Sequence, residues 1–314
     1  MLGSNEKFDL TKIKYPTMGL FKYDGIRGTI KDGKLLSRAL KPIPNSSVQK
    51  HPAILKLKET SLRENRVIDV ELYIDDLPFN EHTIFIMTKE YNRKHMQKIK
   101  GKLRRGELSH PYNYYMRLPK EFKVILFDTW DAMRLPYKER YWELVRLSAG
   151  EVTCKVANSI LLWKDVEVVK LYEEAIEKGL EGLVLRNPEG KYKFGRATAK
   201  EETFLKLKPI TELRGTVLRV EERRKNLTES HINELGYQTK RQLEENQVTT
   251  GIASALVVEY EGKEVKVTLT GTEETRREIL NDESWIGSEI LFKAMLYGSL
   301  NKPRHPVFLK RLTM

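Results

Sequence analysis

A lysine, an aspartate, a glycine and an arginine stand close together in the stretch LFKYDGIRGTI, residues 20–30. Apolar and β-branched residues surround them, so Lys22 is expected at the end of a strand, with Asp24 and Arg27 just beyond it. An amine can act as a nucleophile, but at an ordinary pKa of about 10.4 less than about 0.1% is neutral at pH 7. The stretch therefore predicts either a solvated strand edge or a nucleophile that depends on charged neighbours.

Two carboxylates share one face of a second predicted strand, RVIDVELYIDD. The alternating apolar residues predict a buried face made of Ile68, Val70, Leu72 and Ile74. Asp69 and Glu71 then point together to the other face, about 7 Å apart. Such a pair either faces solvent or holds a divalent cation, which prefers oxygen ligands.

Three further stretches carry residues that could bind a nucleotide. In TFLKLKPI, Lys206 and Lys208 share a face, either in water or as a clamp for a phosphate chain. In EGLVLRNP, Glu181 precedes a predicted buried strand. In VILFDTWD, Phe127 faces away from its neighbours and is either a core residue or a platform on which a base stacks.

The elements that must position these residues divide the chain at KPITEL, 208–213. Before it, short strands alternate with helices, and KDVEVVKLYEEAIEKG predicts a helix whose apolar residues recur at helical spacing and whose stop is Gly179. Those apolar residues are Val166, Val169, Tyr172 and Ile176. A second amphipathic helix is predicted in KERYWELVRLSAG, which ends at Gly150. We expect domains at 1–209 and 210–314.

The second domain has short alternating strands that are typical of a small β-barrel, with a hairpin turn at EGKE, 261–264. The polar stretch RRKNLTESHINELGYQTKRQLEEN, 223–246, predicts a helical or mobile insertion. Its basic part either contacts phosphate or is solvated.

The composition of the chain excludes some classes of protein and favours others. The chain has 314 residues, a formal net charge of +12 and one cysteine, and its pI is about 9.4. A single thiol excludes an internal disulfide and a four-cysteine zinc site, and favours a reducing compartment. The charge fits a nucleic-acid partner or simply a basic soluble protein. No apolar run is long enough to cross a membrane, so we expect a cytoplasmic protein that does not bind membranes.

The order KYDGIR, SRALKPIPN, DVELYI, LFDTWD, EGLVLR, LKLKP resembles the covalent nucleotidyltransferases. Within that superfamily the chain is similar to the compact two-domain ATP-dependent DNA ligases of bacteriophages and some bacteria. The resemblance implies an α+β fold. It consists of an ATP-grasp-like adenylation domain of antiparallel sheets with helices, followed by an OB-fold DNA-binding domain. It also implies roles in DNA replication, repair and recombination.

By this resemblance, the protein seals 3′-hydroxyl/5′-phosphate nicks in duplex DNA through a lysyl-AMP intermediate and a DNA-adenylate. The implied cofactors are ATP, which leaves AMP on Lys22, and Mg²⁺ or Mn²⁺ held by Glu71 and Glu181. The implied catalytic residues are Lys22, Asp24, Arg27, Lys206 and Lys208. The implied cofactor-binding residues are Phe21, Lys22, Arg27, Arg38, Glu71, Phe127, Glu181, Arg186, Lys206 and Lys208. The implied partner is nicked double-stranded DNA, bound by a monomer.

The sequence departs from the family pattern in its last motif, an Arg-x-Asp-Lys, for which only Lys310 and Arg311 are available. Lys206, Lys208 and a metal ion are the expected neighbours that make the Lys22 amine reactive. An ATP-dependent RNA ligase shares the chemistry and stays open as an alternative. A guanylyltransferase would use GTP, and a non-catalytic nucleic-acid-binding protein would retain only the fold.

Overall fold

The computed structural model describes residue 10 and residues 13–131, 134–150, 152–195, 204–234, 238–241, 244–296 and 303–312. The chain divides into two compact units, Met1–Lys208 and Pro209–Met314. This division falls one residue before the predicted one. Within the described ranges, no helix is long and apolar enough to cross a membrane.

The first unit contains two sheets. Its described strands are β1 (Thr17–Lys22), β2 (Ile26–Lys31), β3 (Lys34–Ser37), β4 (Val67–Ile74), β5 (Phe122–Trp130), β6 (Cys154–Val156), β7 (Ser159–Leu162), β8 (Gly182–Arg186) and β9 (Phe204–Leu207). One sheet has the order β3-β2-β4-β5-β6 and the other β7-β1-β8-β9. Every pairing is antiparallel except that of β5 with β6.

Helices cover the outer faces of both sheets. They are α1 (Ser46–Gln49), α2 (Pro52–Arg63), α3 (Phe79–Met87), α4 (Arg93–Arg104), α5 (Tyr137–Ser148) and α6 (Asp165–Glu177). The predicted alternation of β4 is confirmed, because Ile68, Val70, Leu72 and Ile74 all lie in a buried cluster with residues of α2, α3, α4 and α5. Burying each such side chain contributes about 1.5–3 kcal/mol. The opposite face of β4 is left for Asp69 and Glu71.

The four-stranded sheet is apolar on both faces. Phe21, Leu183 and Leu207 pack against α6, whereas Met18 and Leu20 pack against Ile125 of the five-stranded sheet. The two sheets therefore face each other across a small apolar cluster, and the ends of their strands are free to carry polar groups.

Helix α6 forms where predicted but buries a different face. Its buried residues are Val168, Leu171 and Ala175, whereas Val166 is 50% and Ile176 38% exposed. The predicted and the observed apolar residues of α6 both recur at helical spacing. Which of them is buried depends on the sheet against which the helix packs, and the sequence pattern alone does not show this.

The second unit is a closed five-stranded barrel with the order β10-β13-β14-β16-β15. Its described elements are β10 (Thr211–Asn226), β11 (Ser230–Ile232), β12 (Gln238–Lys240), β13 (Gln247–Tyr260), β14 (Lys263–Thr268), α7 (Glu273–Asn281), β15 (Glu289–Met295) and β16 (Arg304–Arg311). Inward-facing residues such as Val217, Leu256 and Phe292 fill it. The predicted α+β fold with a terminal barrel is confirmed. The predicted turn is a two-residue hairpin loop in which Glu261 and Gly262 both have positive φ.

The helical interpretation of 223–246 is wrong for most of its described residues, since only Glu244–Asn246 form a short 3-10 turn. Strand β10 continues to Asn226 and pairs with the start of β13, so that Arg224 lies opposite Thr249. Beyond this ladder, β11 and β12 pair with each other as a small exposed hairpin. The charged residues of this stretch obscure any alternation, and pairing with the distant β13 decides the conformation.

Candidate active site

Lys22 is the last residue of β1 and lies opposite Gly182 of β8. Its ammonium group forms an ion pair with the carboxylate of Glu181, and the Glu181 amide donates to the Lys22 carbonyl at 2.9 Å. The Lys22 side chain is 17% exposed and that of Glu181 3%. The amine is thus held at the end of a strand while still open to a ligand.

The chain crosses from one sheet to the other directly after Lys22. Strand β1 belongs to the four-stranded sheet, and β2, which begins at Ile26, belongs to the five-stranded sheet. A Cβ on Gly25 would lie 2.4 Å from the carbonyl oxygen of Leu72, so only glycine lets the crossing pass this close to β4. The KYDGIR stretch therefore places the amine on one sheet and Arg27 on the other.

Arg27 is anchored by the carboxylate of Asp69. Its Nη2 donates to Asp69 Oδ2 at 2.9 Å, and the hydroxyl groups of Thr29 and Tyr192 donate to the same carboxylate at 2.8 Å each. Burial opposes ionisation of Asp69, but Arg27 and these hydrogen bonds outweigh it and hold the pKa of Asp69 below its ordinary value. Asp69 is thus a fixed counter-charge that orients Arg27.

Glu71 occupies the next site-facing position on β4, opposite Arg27 of β2. Burial raises the pKa of Glu71 to about 7, and the charges of Glu181 and Asp24 add to the rise, while Lys22 and Arg27 oppose it. Lys22, Asp24, Arg27 and Glu181 therefore all lie within electrostatic range of Glu71.

Lys206 and Lys208 reach the same place from β9 and the residue after it. Lys208 forms an ion pair with Glu181, whose second carboxylate oxygen pairs with Lys22. Burial, helped by the charges of Lys22 and Lys208, lowers the pKa of Lys206 to about 8. Arg38 contributes in the same direction, so Lys206 lies within electrostatic range of three other cationic groups.

Gly182 allows β8 and β9 to approach each other at this point. Its φ is +125°, and a Cβ there would lie 2.1 Å from the carbonyl oxygen of Leu207. A side chain at this position would force β9 away and displace the neighbouring lysines.

Phe127 lies in a β-bulge. Across β4 and β5, Asp69 is opposite Asp128 and Val70 is opposite Leu126, which leaves Phe127 without a partner. The guanidinium carbon of Arg27 lies 5.3 Å from the centre of the Phe127 ring. The bulge thus turns the ring to the face that carries Arg27, where a planar base could stack.

A network of buried hydrogen bonds and ion pairs stabilises the β-bulge at Phe127. The Phe127 carbonyl accepts from Arg186 Nη1 and from the Tyr137 hydroxyl, both at 3.3 Å. Asp128 accepts from Arg186 and from Arg140, the latter at 2.8 Å. The Arg186 guanidinium also stacks on the Tyr137 ring, 4.0 Å from its centre.

The position of Arg186 does not fit the predicted contact with a cofactor. The residue is 1% exposed and its charge is matched by Asp128. It lies opposite Met18 on β1, four residues along β8 from Gly182 and so about 13 Å from the Lys22 end of the strand. Arg186 supports Phe127 instead.

The side chain of Phe21, another predicted cofactor-binding residue, does not face the site. Phe21 precedes Lys22 on the strand and therefore points to the opposite face. It packs in the cluster beneath α6, where Lys178 lies 5.0 Å from the ring centre. Only the backbone of this residue faces the site.

The structure brings the other predicted residues together and adds several that the sequence analysis missed. Lys22, Asp24, Arg27, Arg38, Glu71, Phe127, Glu181, Lys206 and Lys208 fall in one region. The added residues are Tyr137, Arg140 and Tyr192, with Asp128 beside Phe127. Asp128 could have been found from the sequence, because it lies in the motif LFDTWD. No spacing or motif in the sequence marks Tyr137, Arg140 or Tyr192.

The substitute proposed for the last motif lies in the barrel. Arg311 donates to the Ser284 backbone carbonyl, and its guanidinium lies 4.8 Å from the centre of the Trp285 ring. Lys310 is exposed. Within the second unit, Arg311 therefore has a structural contact of its own.

The site has an amine at a strand end, two nearby lysines and a buried glutamate. This site, in a two-sheet unit followed along the chain by a five-stranded barrel, is the arrangement expected of a covalent nucleotidyltransferase. Residues 8–208 match the ATP dependent DNA ligase domain family. The chain belongs to this family of ATP-dependent DNA ligases.

Two phage proteins are among its relatives. The DNA ligase of Enterobacteria phage T3 is 26% identical over 227 residues, which cover 62% of this chain and 64% of the phage protein. The DNA ligase of Escherichia phage T7 is 26% identical over 223 residues, covering 62% and 60%. The chain thus spans less than two thirds of the length of these relatives.

Solved structures share the fold. A structure from a study of DNA binding by Lig E DNA ligases has a TM-score of 0.66 and 19% identity, covering 99% of this chain and 98% of that one. The ATP complex of the bacteriophage T7 ATP-dependent DNA ligase has a TM-score of 0.50 and 18% identity, covering 99% and 97%.

Proposed function

We propose that this protein is an ATP-dependent DNA ligase that seals nicks in duplex DNA and carries AMP on Lys22. The observation that carries the proposal is the group formed by Lys22, Glu181, Lys208 and Lys206 at the ends of β1, β8 and β9. It combines a nucleophile with the positive charge that a triphosphate requires.

In the first step, the Lys22 Nζ lone pair forms a bond to the α-phosphorus of ATP. The bond from that phosphorus to the bridging oxygen breaks, pyrophosphate leaves, and Nζ loses a proton. Lys206 and Lys208 stabilise the negative charge that develops on the phosphate oxygens and on pyrophosphate. Asp24 lies close to the reacting phosphate.

In the second step, a 5′-phosphate oxygen of the nick attacks the phosphorus of the lysyl-AMP, and the P–N bond breaks to free Lys22. In the third, the 3′-hydroxyl oxygen attacks the activated 5′-phosphorus, loses its proton, and AMP departs. Arg27 and Arg38 are suited to hold the phosphates, because a guanidinium donates two parallel hydrogen bonds to phosphate oxygens.

Phe127 provides the surface on which adenine stacks, a contact worth about 1–3 kcal/mol per base. Arg27 is fixed by Asp69 and faces the same ring. The base and the ribose-phosphate are therefore held by β5 and β2, two strands of one sheet with β4 between them.

Glu71 and Glu181 are proposed to bind Mg²⁺ or Mn²⁺ together with ATP. Within the described ranges, no group of three or more His, Cys, Asp or Glu side chains is arranged to hold a metal ion. Two carboxylates plus substrate phosphates are a common Mg²⁺ site, however, and Glu71 and Glu181 lie within electrostatic range of each other. When bound, the ion neutralises charge on the phosphate oxygens.

The proposed substrate is nicked double-stranded DNA, bound by a monomer. The net charge of +12 supports a polyanionic partner. The barrel contributes basic residues on the extended β10–β13 ladder, among them Arg224 and Lys225.

The test is a gel assay with α-labelled ATP and magnesium, followed by a chase with nicked DNA. The wild type should acquire label and pass it to the DNA. Lys22→Ala should acquire none and still bind DNA, whereas Lys31→Ala, at an exposed position on β2, should behave as wild type. Nick sealing by Lys22→Ala would refute the nucleophile. Preference for a nicked RNA-containing duplex would assign the RNA ligase, and labelling by GTP a guanylyltransferase.

A further inference from the structure

Helix α4 carries a concentration of positive charge that the ligase chemistry does not use. Residues 93–105 include seven lysines and arginines and no acid. Two of the seven, Lys102 and Arg105, are paired with Glu107. The other five make no ion pair with any described residue: Arg93, Lys94, Lys98, Lys100 and Arg104.

These five side chains lie on the exposed surface of the helix. The buried side is formed by His95 and Ile99. His95 is fixed by a contact of 3.1 Å between its Nε2 and the Tyr115 carbonyl oxygen. The fold therefore anchors one face of α4 and presents the basic face to solvent.

This charge arrangement opposes the local stability of the helix. Lys94 with Lys98, and Lys100 with Arg104, are like-charged pairs at i,i+4, which destabilise a helix. Arg93 and Lys94 stand in the first turn, where the helix dipole disfavours positive charge. The Asn92 side chain, which caps the helix through the His95 amide, and packing offset these costs. A polyanion bound to this face would remove them.

The basic face lies on the far side of the five-stranded sheet from Lys22. Ile99 packs in the same cluster as Ile68, Val70 and Leu72, which lie on the face of β4 opposite Asp69 and Glu71. The sheet and the diameter of the helix itself, about 10 Å, thus separate this surface from the site. DNA whose nick lies at Lys22 cannot run straight across both.

We infer that the exposed face of α4 is a second binding surface for duplex DNA, which holds a segment other than the one at the active site. Its 12 residues span about 18 Å, over which a duplex carries roughly ten phosphates. Lysine and arginine side chains on such a surface bind phosphates without reading sequence. The choice of DNA as the polyanion rests on the proposed ligase function.

The first test measures the affinity for an intact duplex over a salt series, without ATP. Each phosphate contact contributes about 0.9 to the slope of log K against log salt. The test variant replaces three exposed residues of α4 with glutamine, which has similar helix propensity: Lys94→Gln, Lys98→Gln and Arg104→Gln. It should lower the slope by about 2.7. A matched control with three exposed lysines elsewhere should lower it by less than one unit: Lys34→Gln, Lys155→Gln and Lys170→Gln.

The second test asks whether one molecule bridges two duplexes. A donor-labelled nicked duplex and an acceptor-labelled intact duplex should show energy transfer with wild type and with Lys22→Ala, but not with the α4 variant. Self-adenylylation should be unchanged in the α4 variant. Because Lys22→Ala cannot seal, bridging by it separates this inference from the ligase function.

An α4 variant with the wild-type salt slope would overturn the inference. The inference would also be overturned if the α4 variant had a lower salt slope but the wild type did not bridge two duplexes. In that case α4 would contact the same duplex as the active site. Binding of phosphatidylserine vesicles through α4, with no change on DNA, would assign the face to a membrane and also overturn it.

Discussion

Replacing Asp128 with a residue of nearly the same shape should lower the stability of the first unit strongly. Asp128 is 0% exposed and is the carboxylate between two buried guanidinium groups, those of Arg186 and Arg140. Asp128→Asn keeps the volume but removes the negative charge and turns an NH₂ group toward one arginine. Breaking a buried pair in this way costs about 3–5 kcal/mol.

For a unit of this size, each kcal/mol lowers the melting temperature by about 2–4 °C, so Asp128→Asn should lower it by about 6–20 °C. Differential scanning calorimetry and urea unfolding measure the effect. Asp32→Asn is the matched control, since Asp32 is exposed in a turn with φ +49°, where asparagine is well tolerated. It should change the free energy of unfolding by less than about 0.5 kcal/mol.

A double-mutant cycle with Arg186→Met tests the reason for the loss. Removing Arg186 takes away one of the charges that Asp128→Asn leaves uncompensated, so the double variant should lose less stability than the sum of the two single variants. An Asp128→Asn protein as stable as wild type, or strictly additive effects in the cycle, would refute the role assigned to this carboxylate.

Three further predictions concern the site. Tyr137→Phe removes one hydrogen bond to the Phe127 carbonyl, worth about 1 kcal/mol, and should weaken binding of α,β-methylene-ATP up to about fivefold in calorimetry without lowering the maximal rate of self-adenylylation. Gly182→Ala places a Cβ against the Leu207 carbonyl and should lower the unfolding midpoint by more than an exposed alanine substitution does; an unchanged midpoint would contradict the close approach. Lys206 has a pKa of about 8, so its positive charge is lost as pH rises through that value. Binding of α,β-methylene-ATP should therefore weaken about tenfold above pH 8. Lys206→Arg, which keeps its charge, should bind the analogue equally on both sides of that pH.

The sequence predicted the site best where the argument depended on strand alternation alone. The faces of β4 follow directly from the alternation of Val70 and Leu72 with Asp69 and Glu71, and the two lysines near β9 share a face for the same reason. The barrel was predictable because its strands alternate as well, although β10 and β13 are longer than the short strands that were expected.

The remaining features depend on pairing between distant segments. Alternation puts Arg186 on the correct face of β8, but its distance from Lys22 depends on the register with β1. The bulge at Phe127 exists only because β5 pairs with β4 in a shifted register. Tyr192 reaches Asp69 across more than one hundred residues of sequence. No local pattern encodes these relations.

The short crossing between β1 and β2 has a consequence for how this site tolerates change. Lys22 and Arg27 stand on different sheets but are joined by five peptide units, which reach at most about 18 Å when extended. The covalent chain therefore limits how far the two sheets can separate at this edge. Insertions between Tyr23 and Ile26 would release that limit, so length changes here should be far more damaging than in the hairpin at 261–262 of the barrel.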